Sequence, residues 1–524
     1  MRKLILALML ASLGAAGAGA QTTDAMLDDV QRSSFDYFWE QANPANGLIK
    51  DRSASWSPAS IAATGFGLSA ICVGADHGWV SRAAAAERVR TTLGTFWYGP
   101  QGSGTSGIIG YKGLFYHFLD MTTATRTWDC ELSTIDTALL FAGILDCKQY
   151  FDGADTTEVR IRALADSIYY RADWEFVRNG QQGIEMGWLP TTGFTTFGLW
   201  QGYNEAMILY LLALGSPTHP VPSTTWTYWM SGYQYLEYYG YRYVVFPPLF
   251  GHQYTHCWVD FRQRLDAFGR ARSLTYFENS RRATLAQRAY AAANPYGWVG
   301  YSDSLWGLTA SDIKNGYLAR GAPPALNDDG TITPTAPVSS IAFAPDEVLP
   351  VIRNMYENYP LLWGAYGFKD AFNLSLSPVW YDTDHLGIDQ GPMVLMIENH
   401  RTGRVWNRFM ENPDILNGLA RAGFTTIVHV GAPGPAAPAA LLAWSQPNPF
   451  ARSTTVRFRL PAAGPVRLDV FDLTGRRVAR LLDGARPAGE HAVAWEPDGA
   501  PAGVYHVRLE SAGRTATARC VKLR

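Results

Sequence analysis

The sequence predicts a large all-α domain followed by a small β-sandwich, and three observations carry that expectation. From residue 28 to about residue 424, apolar residues recur at helical spacing in segments separated by polar, Gly-containing loops, with few alternating stretches between them. Residues 431–443, GAPGPAAPAALLA, are rich in Pro, Ala and Gly and read as a linker. Beyond them TTVRFRL, PVRLDVFDL, GEHAVAW and GVYHVRLE alternate as strands between Gly and Pro turns. A chain of 524 residues exceeds one ordinary core, although an α-helical barrel can hold about 400 residues in one unit. The expected division is a leader at 1–20, a helical domain at 21–430, a linker at 431–445 and a β-domain at 446–524.

Taken in order, Arg2 and Lys3 precede an apolar stretch from Leu4 to Leu13 and the small-residue segment GAAGAGAQ. This is the pattern of a cleavable secretory signal, with cleavage expected after Ala20. No later stretch reaches the roughly 18 apolar residues of a membrane span, so a soluble protein outside the cytoplasm is expected. Val30, Phe35, Phe38 and Trp39 then fall at helical spacing until Asn-Pro and Asn-Gly end the helix, and further Ala-rich helices follow. Of two long loops, Gln101 to Lys112 and Pro323 to Pro345, one or both are expected to line a site.

Composition narrows the function. The net charge is −2 and no basic run is interleaved with aromatics, which argues against a nucleic-acid partner. Five cysteines without a CxxC pair suggest neither a disulfide scaffold nor a zinc site, one isolated disulfide aside. The aromatic content, 18 Trp, 27 Tyr and 24 Phe, fills cores, but Trp and Tyr beside carboxylates also stack sugar rings, whose faces are apolar and edges polar.

Four stretches could carry chemistry. In WQGYNEAMILYLLAL, Glu205 stands at the mouth of an apolar run that reads as a helix from Ala206 to Leu214 with Asn204 as its N-cap. The helix dipole favours the ionised carboxylate and burial favours the neutral one, so Glu205 is either a helix-start acid or a tuned catalytic acid. In WDCELSTIDTALL, a helix would place Asp129, Ser133 and Asp136 on one stripe, with an acidic solvated face as the plainer reading; Glu131 could cap or bind. In WYDTDHLGIDQGPMVLM, Asp382, Asp384 and Asp389 read as loop residues ahead of a helix opened by Gly391-Pro392, and their spacing does not match a regular calcium loop. In FGHQYTHCWVDF, His252 and His256 are four apart, but Gln253 stands where a helix-borne zinc motif needs Glu. No GxSxG elbow, P-loop or dinucleotide fingerprint occurs in a fitting context. Isolated carboxylates in a secreted, aromatic-rich helical domain suit a glycoside hydrolase.

At these same residues, YHFLDMTTATRTWDCELSTIDTALL, GYNEAMILYLLALGSPTHP, FPPLFGHQYTHCWVDFR, YFENSRRATLAQRAYAAANP and LGIDQGPMVLMIENHRTG resemble the bacterial glycoamylase-like domain, which includes endo-β-1,2-glucanases, over roughly residues 25 to 424. The resemblance implies an (α/α)6 barrel and inverting hydrolysis of a β-1,2-linked glucan without metal or cofactor. It implies Glu205 as general acid and Asp389 as general base, acting directly or through a substrate hydroxyl and water, with Asp136 the alternative base. Asp129 and Glu131 would bind hydroxyls, and Trp200, Tyr203, His252, Tyr254, Trp306 and Tyr381 would stack on or contact the sugar. Hydrolysis of another glucan, α-linked or cyclic, and a non-catalytic surface glucan-binding protein remain the alternatives. The C-terminal segments QPNPF, DVFDLTGR and AGVY resemble an FlgD-like, type A sorting domain, an Ig-like sandwich that engages a secretion machinery. The implied product is a monomer exported to the surface or periplasm of a Gram-negative-type bacterium.

Overall fold

The computed structural model describes residues 22–427 and, apart from 447, 449, 461–462, 473–474 and 512–513, residues 442–523. The expected signal segment and most of the expected linker lie outside the described residues. The chain divides into two compact units between residues 427 and 428.

The first unit is helical. Its helices are α1 Thr23–Glu40, α2 Ile61–Asp76, α3 Arg82–Tyr98, α4 Thr134–Tyr150, α5 Thr156–Tyr170, α6 Trp174–Arg178, α7 Met207–Gly215 and α8 Thr224–Ser231. They continue with α9 Phe250–Gln253, α10 Ala267–Arg270, α11 Tyr276–Ala293, α12 Thr335–Val338, α13 Pro345–Asn358, α14 Gly387–Arg401, α15 Arg404–Phe409 and α16 Pro413–Arg421. Side-chain oxygens start several of them as the sequence rules require: Thr22, Ser60, Ser133 and Thr275 each accept a backbone N–H from the first turn.

Burial sorts the helices into two layers. α2, α4, α7 and α14 are buried on nearly every side, whereas α1, α3, α5, α13 and α16 bury one face. α2 packs on α4 and α14, and α7 on α4 and α16. Glycines set these crossings, because a Cβ on Gly143 of α4 would lie 2.0 Å from the Gly65 carbonyl oxygen of α2. A Cβ on Gly391 of α14 would likewise meet the Phe66 ring at 2.4 Å. Between the helices run many short antiparallel pairs, which the sequence pattern does not announce because strands of two or three residues show no alternation.

The Pro323–Pro345 loop takes a different place from that expected. Residues 330–341 are almost wholly buried, so most of the Pro323–Pro345 segment is core, and α12 lies within it. The hairpin just before it, Ser311–Ile313 paired with Gly316–Leu318, borders the cleft instead.

In the second unit, strands Leu442–Gln446, Thr454–Leu460 and Gly489–Trp495 form one sheet. Strands Arg477–Arg486, Gly464–Phe471, Gly503–Ser511 and Arg514–Lys522 form another. Val456, Phe458 and Trp495 of the first share one apolar cluster with Leu468, Val470, Val507 and Leu509 of the second. Leu442–Gln446 pairs with Thr455–Arg459, so strand structure begins inside the segment expected to be linker.

Gly143→Ala is expected to lower stability by about 1–3 kcal/mol, the usual cost of overpacking. Gly94→Ala in α3, where nothing stands within 4 Å of the added Cβ, is expected to be neutral or to stabilise by up to about 1 kcal/mol. Urea midpoints followed by the helical circular dichroism signal compare the two.

Candidate active site

A cleft of about 370 Å³ is lined by His117, Glu131, Asp136, Trp200, Glu205, Phe250, Tyr254 and Tyr317, with apolar fill from Leu139, Met186, Phe197 and Ile388. Of its acidic residues, Asp136 and Glu205 lie at or just ahead of helix starts, and Asp389 stands next to the lining residue Ile388. Asp136 lies in the first turn of α4 and Asp389 in the first turn of α14. Glu205 stands two residues ahead of α7.

Glu205 therefore precedes the helix whose first turn it was expected to occupy. Asn204 does not cap that helix either: its Oδ1 accepts the Ala206 N–H at 3.0 Å and closes a turn. The Glu205 carboxyl is enclosed and its Oε2 has no hydrogen-bond partner among the described residues. Burial pushes it up to about 7, with the charge of Asp136 adding to the shift and its own backbone N–H opposing it.

Asp136 is held on three sides. Ser133 Oγ donates to its carboxylate, and its own N–H donates back to Ser133 Oγ at 3.2 Å. His117 Nε2 lies 3.6 Å from its Oδ1 while Nδ1 contacts Glu131 Oε1 at 2.9 Å. Burial opposes the charge on His117, but Asp136, Glu131 and Asp51 outweigh it and push the imidazole up to about 9. The ring is thus a cation at neutral pH, and it holds Glu131 below the usual carboxylate range against the effect of burial.

Asp389, expected in a loop, is on α14, and Gly391 and Pro392 fall inside that helix rather than opening it. The Asp389 carboxyl is buried, with Oδ2 unpartnered, and hydrogen bonded to Asp370. Burial pushes Asp389 up to about 7; Asp370 opposes the shift, while Asp312 and Asp51 add to it. Asp370 is raised further, by burial and by Asp389 and Asp312, so this pair carries a proton at neutral pH. Arg52 balances part of the acidity, donating to Asp312 Oδ2 at 2.8 Å and lying 3.4 Å from Asp51 Oδ2. Tyr254 lines the cleft, and its hydroxyl is within electrostatic reach of both Asp389 and Glu205.

The remaining expected residues divide. Trp200 lines the cleft, its Nε1 donating to Thr134 Oγ1 at 3.0 Å, and Tyr254 lines it from the turn after α9. Glu131 lines it too, but from the short Leu132–Ser133 pairing ahead of α4, not from a helix. Asp129 does not share a stripe with Asp136: Trp128 and Asp129 both take positive φ, 58° and 50°, the helix starts only at Thr134, and the Asp129 side chain is 98% exposed. Tyr203, His252 and Trp306 are buried away from the cleft surface. Tyr203 packs on His252 at 4.7 Å, and burial lowers both His252 and His256 to about 3, leaving them neutral core histidines. Tyr381 stacks on Phe372 at 5.6 Å in a strand pair. His117, Arg52, Asp370 and Tyr317 escaped the sequence reading, although His117 lies within a quoted motif.

A family model for glycoamylase, described as "Putative glucoamylase", matches residues 198–413. The chain is 36% identical to a crystallised glucoamylase-like protein of Bacteroides uniformis, with a TM-score of 0.72, covering 78% of this chain and 98% of that one. The chain belongs to the glycoamylase-like family. A second family structure, an endo-β-1,2-glucanase of Chitinophaga pinensis in complex with sophorotriose and glucose, is 28% identical with a TM-score of 0.71, covering 78% of this chain and 99% of that one. An exo β-1,2-glucooligosaccharide sophorohydrolase (non-reducing end) of Parabacteroides distasonis is 30% identical over 434 residues, 76% of this chain. The chain spans 58% of the length of that curated relative.

A carboxyl raised on folding keeps its proton in the native state, so stability is lost as pH rises from the unfolded value, near 4.5, through about 7. Glu205→Gln removes that loss. At pH 8 the variant is expected to be the more stable protein by up to about 3 kcal/mol, at 1.36 kcal/mol per unit, and the advantage vanishes near pH 4. Thermal melts across that range measure it.

Proposed function

We propose that this protein is a secreted glycoside hydrolase that cleaves β-1,2-linked glucan with inversion, Glu205 serving as the general acid. The observation that carries the reading is a carboxyl enclosed in the cleft and held near pH 7 by burial, with Glu131, which the His117 cation holds below the usual carboxylate range, lining the same cleft. Protonated Glu205 gives its proton to the glycosidic oxygen as the bond to the anomeric carbon breaks. Asp389 takes a proton from the attacking water, directly or through a substrate hydroxyl. Asp136 is the alternative base, since it borders the same cleft and its charge reaches Glu205. Glu131 and Trp200 bind the sugar at the cleft wall. The names of the relatives, β-1,2-specific in exo and endo forms, support the linkage.

The finer architecture belongs to the same proposal. The two helical layers fit an (α/α)6 barrel, the two-sheet unit fits an Ig-like sorting domain, and the N-terminal signal would direct a monomer to the bacterial surface or periplasm. The glucoamylase description of the family model and of the Bacteroides uniformis structure favours one rival reading, hydrolysis of an α-linked glucan.

Incubation with linear β-1,2-glucan and with an α-1,4-glucan, followed by assay of new reducing ends, separates these readings; release from the β-1,2 chain alone is expected. Glu205→Gln is expected to lower kcat by about 10²–10⁴-fold. Activity of the parent falls as pH rises through about 7, because the acid loses its proton, and this alkaline limb is absent from the residual activity of the variant. A sugar-bound crystal structure should place the Glu205 and Asp389 carboxyls about 6.5–9.5 Å apart, or more with a hydroxyl relay.

A further inference from the structure

Across Tyr317 from the Glu205 cleft lies a second cavity, of about 430 Å³, walled by Arg52, Trp56, Asp312, Tyr317, Trp380 and Asp382. Tyr317 is common to both linings. Its ring leaves 45% of the residue's surface open, while its hydroxyl is enclosed near Asp389. The polar wall is also continuous, since Asp51 is within reach of His117 and Asp136 on one side and of Arg52 on the other.

Two features distinguish this cavity from an ordinary hollow. The first is exposed apolar surface. Trp56 and Trp128 leave 64% and 56% of their surface open and stand 6.0 Å apart. Trp128 is braced by Phe118 at 5.1 Å and Trp56 by the Arg52 guanidinium at 5.7 Å, so both indoles are held out at the mouth instead of folding inward. Large indoles kept in water are costly unless a ligand covers them, and a tryptophan face suits the apolar face of a pyranose. The second is the acidic lining, where Asp312 and Asp382 face the cavity and bring oxygens within 4.8 Å of each other and of Asp370. Asp382 Oδ2 is buried and has no hydrogen-bond partner among the described residues. A buried carboxyl with an unpartnered oxygen beside an aromatic wall can exchange hydrogen bonds with the hydroxyls of a sugar edge.

We propose that this second cavity, with the Trp56 and Trp128 pair at its mouth, binds further glucosyl units of the chain that reaches Glu205. The substrate then crosses Tyr317 and is held on both sides of it, with Asp389 beneath the crossing. This rests on the glucan-hydrolase reading above, and it adds that chains long enough to fill both cavities are the preferred substrates.

The test is a comparison of chain lengths. kcat/KM is measured on β-1,2-linked glucose trimers and on chains of ten or more units, for the parent, Trp56→Ala, Trp128→Ala and Trp56→Phe. The ratio of long-chain to trimer kcat/KM is expected to fall about tenfold in each alanine variant and to recover largely in Trp56→Phe, which restores a stacking face. A ratio equal to the parent's, or equal losses on both lengths, overturns the proposal. If the parent releases no reducing ends from any β-1,2 chain, the hydrolase reading fails by itself. Tryptophan fluorescence titrated with β-1,2-, β-1,3- and α-1,4-linked oligosaccharides then decides the binding site: a change present in the parent and absent in Trp56→Ala supports it, and no change with any sugar overturns it.

Discussion

The site depends on how closely α2 can approach its two neighbours. Glycines at positions 65 and 143 let the α2 and α4 backbones meet without intervening side chains, and Gly391 seats α14 against Phe66 of α2. These contacts fix the axial position of α4 and α14 relative to α2, and hence where their first turns end up. Asp136 and Asp389 ride on those first turns, while Asp51 and Arg52 lie just ahead of α2. Fractions of an ångström at the crossings are therefore transmitted to the carboxyls, because a close-packed core moves as bodies and does not yield locally.

Gathering acids at helix starts brings opposed fields into one cleft. Each N-terminus favours an anion through its free N–H groups, whereas enclosure favours the neutral acid. Asp136 receives its own helix-start hydroxyl and the His117 cation. Glu205 lies outside the first turn of α7 and has no cation in contact among the described residues, so enclosure prevails and its proton stays. Asp389 stands between these cases: it shares a hydrogen bond with Asp370, and the crowd of aspartates around Arg52 has more acid than one guanidinium balances. Glu205, raised by enclosure, and Glu131, lowered by the His117 cation, share one cleft, and carboxyls shifted in opposite directions are what acid and base catalysis draws on.

Much of this was legible from local pattern. The apolar run after Glu205 and the alternating C-terminal strands each appear where the residues indicate. The misreadings share a cause. A helical stripe through Asp129 requires a continuous helix, but positive φ at Trp128 and Asp129 turns the chain away and leaves Asp129 in solvent. Tyr203, His252 and Trp306 look like sugar contacts by residue type, yet an aromatic that faces a ligand and one that faces a neighbouring aromatic have the same local sequence.

The sequence by itself determined the longer helices, the C-terminal strands, the order of the two units and the placing of Glu205 and Asp389 near helix starts, since capping and periodicity act over a few residues. Only the tertiary structure decided which charges meet. His117 is paired with Asp136 across 19 positions, Arg52 with Asp312 across 260, and Asp370 with Asp389. A proton's affinity for a carboxyl is set by the charges and water within a few ångströms of it, and those neighbours are chosen by packing over the whole unit.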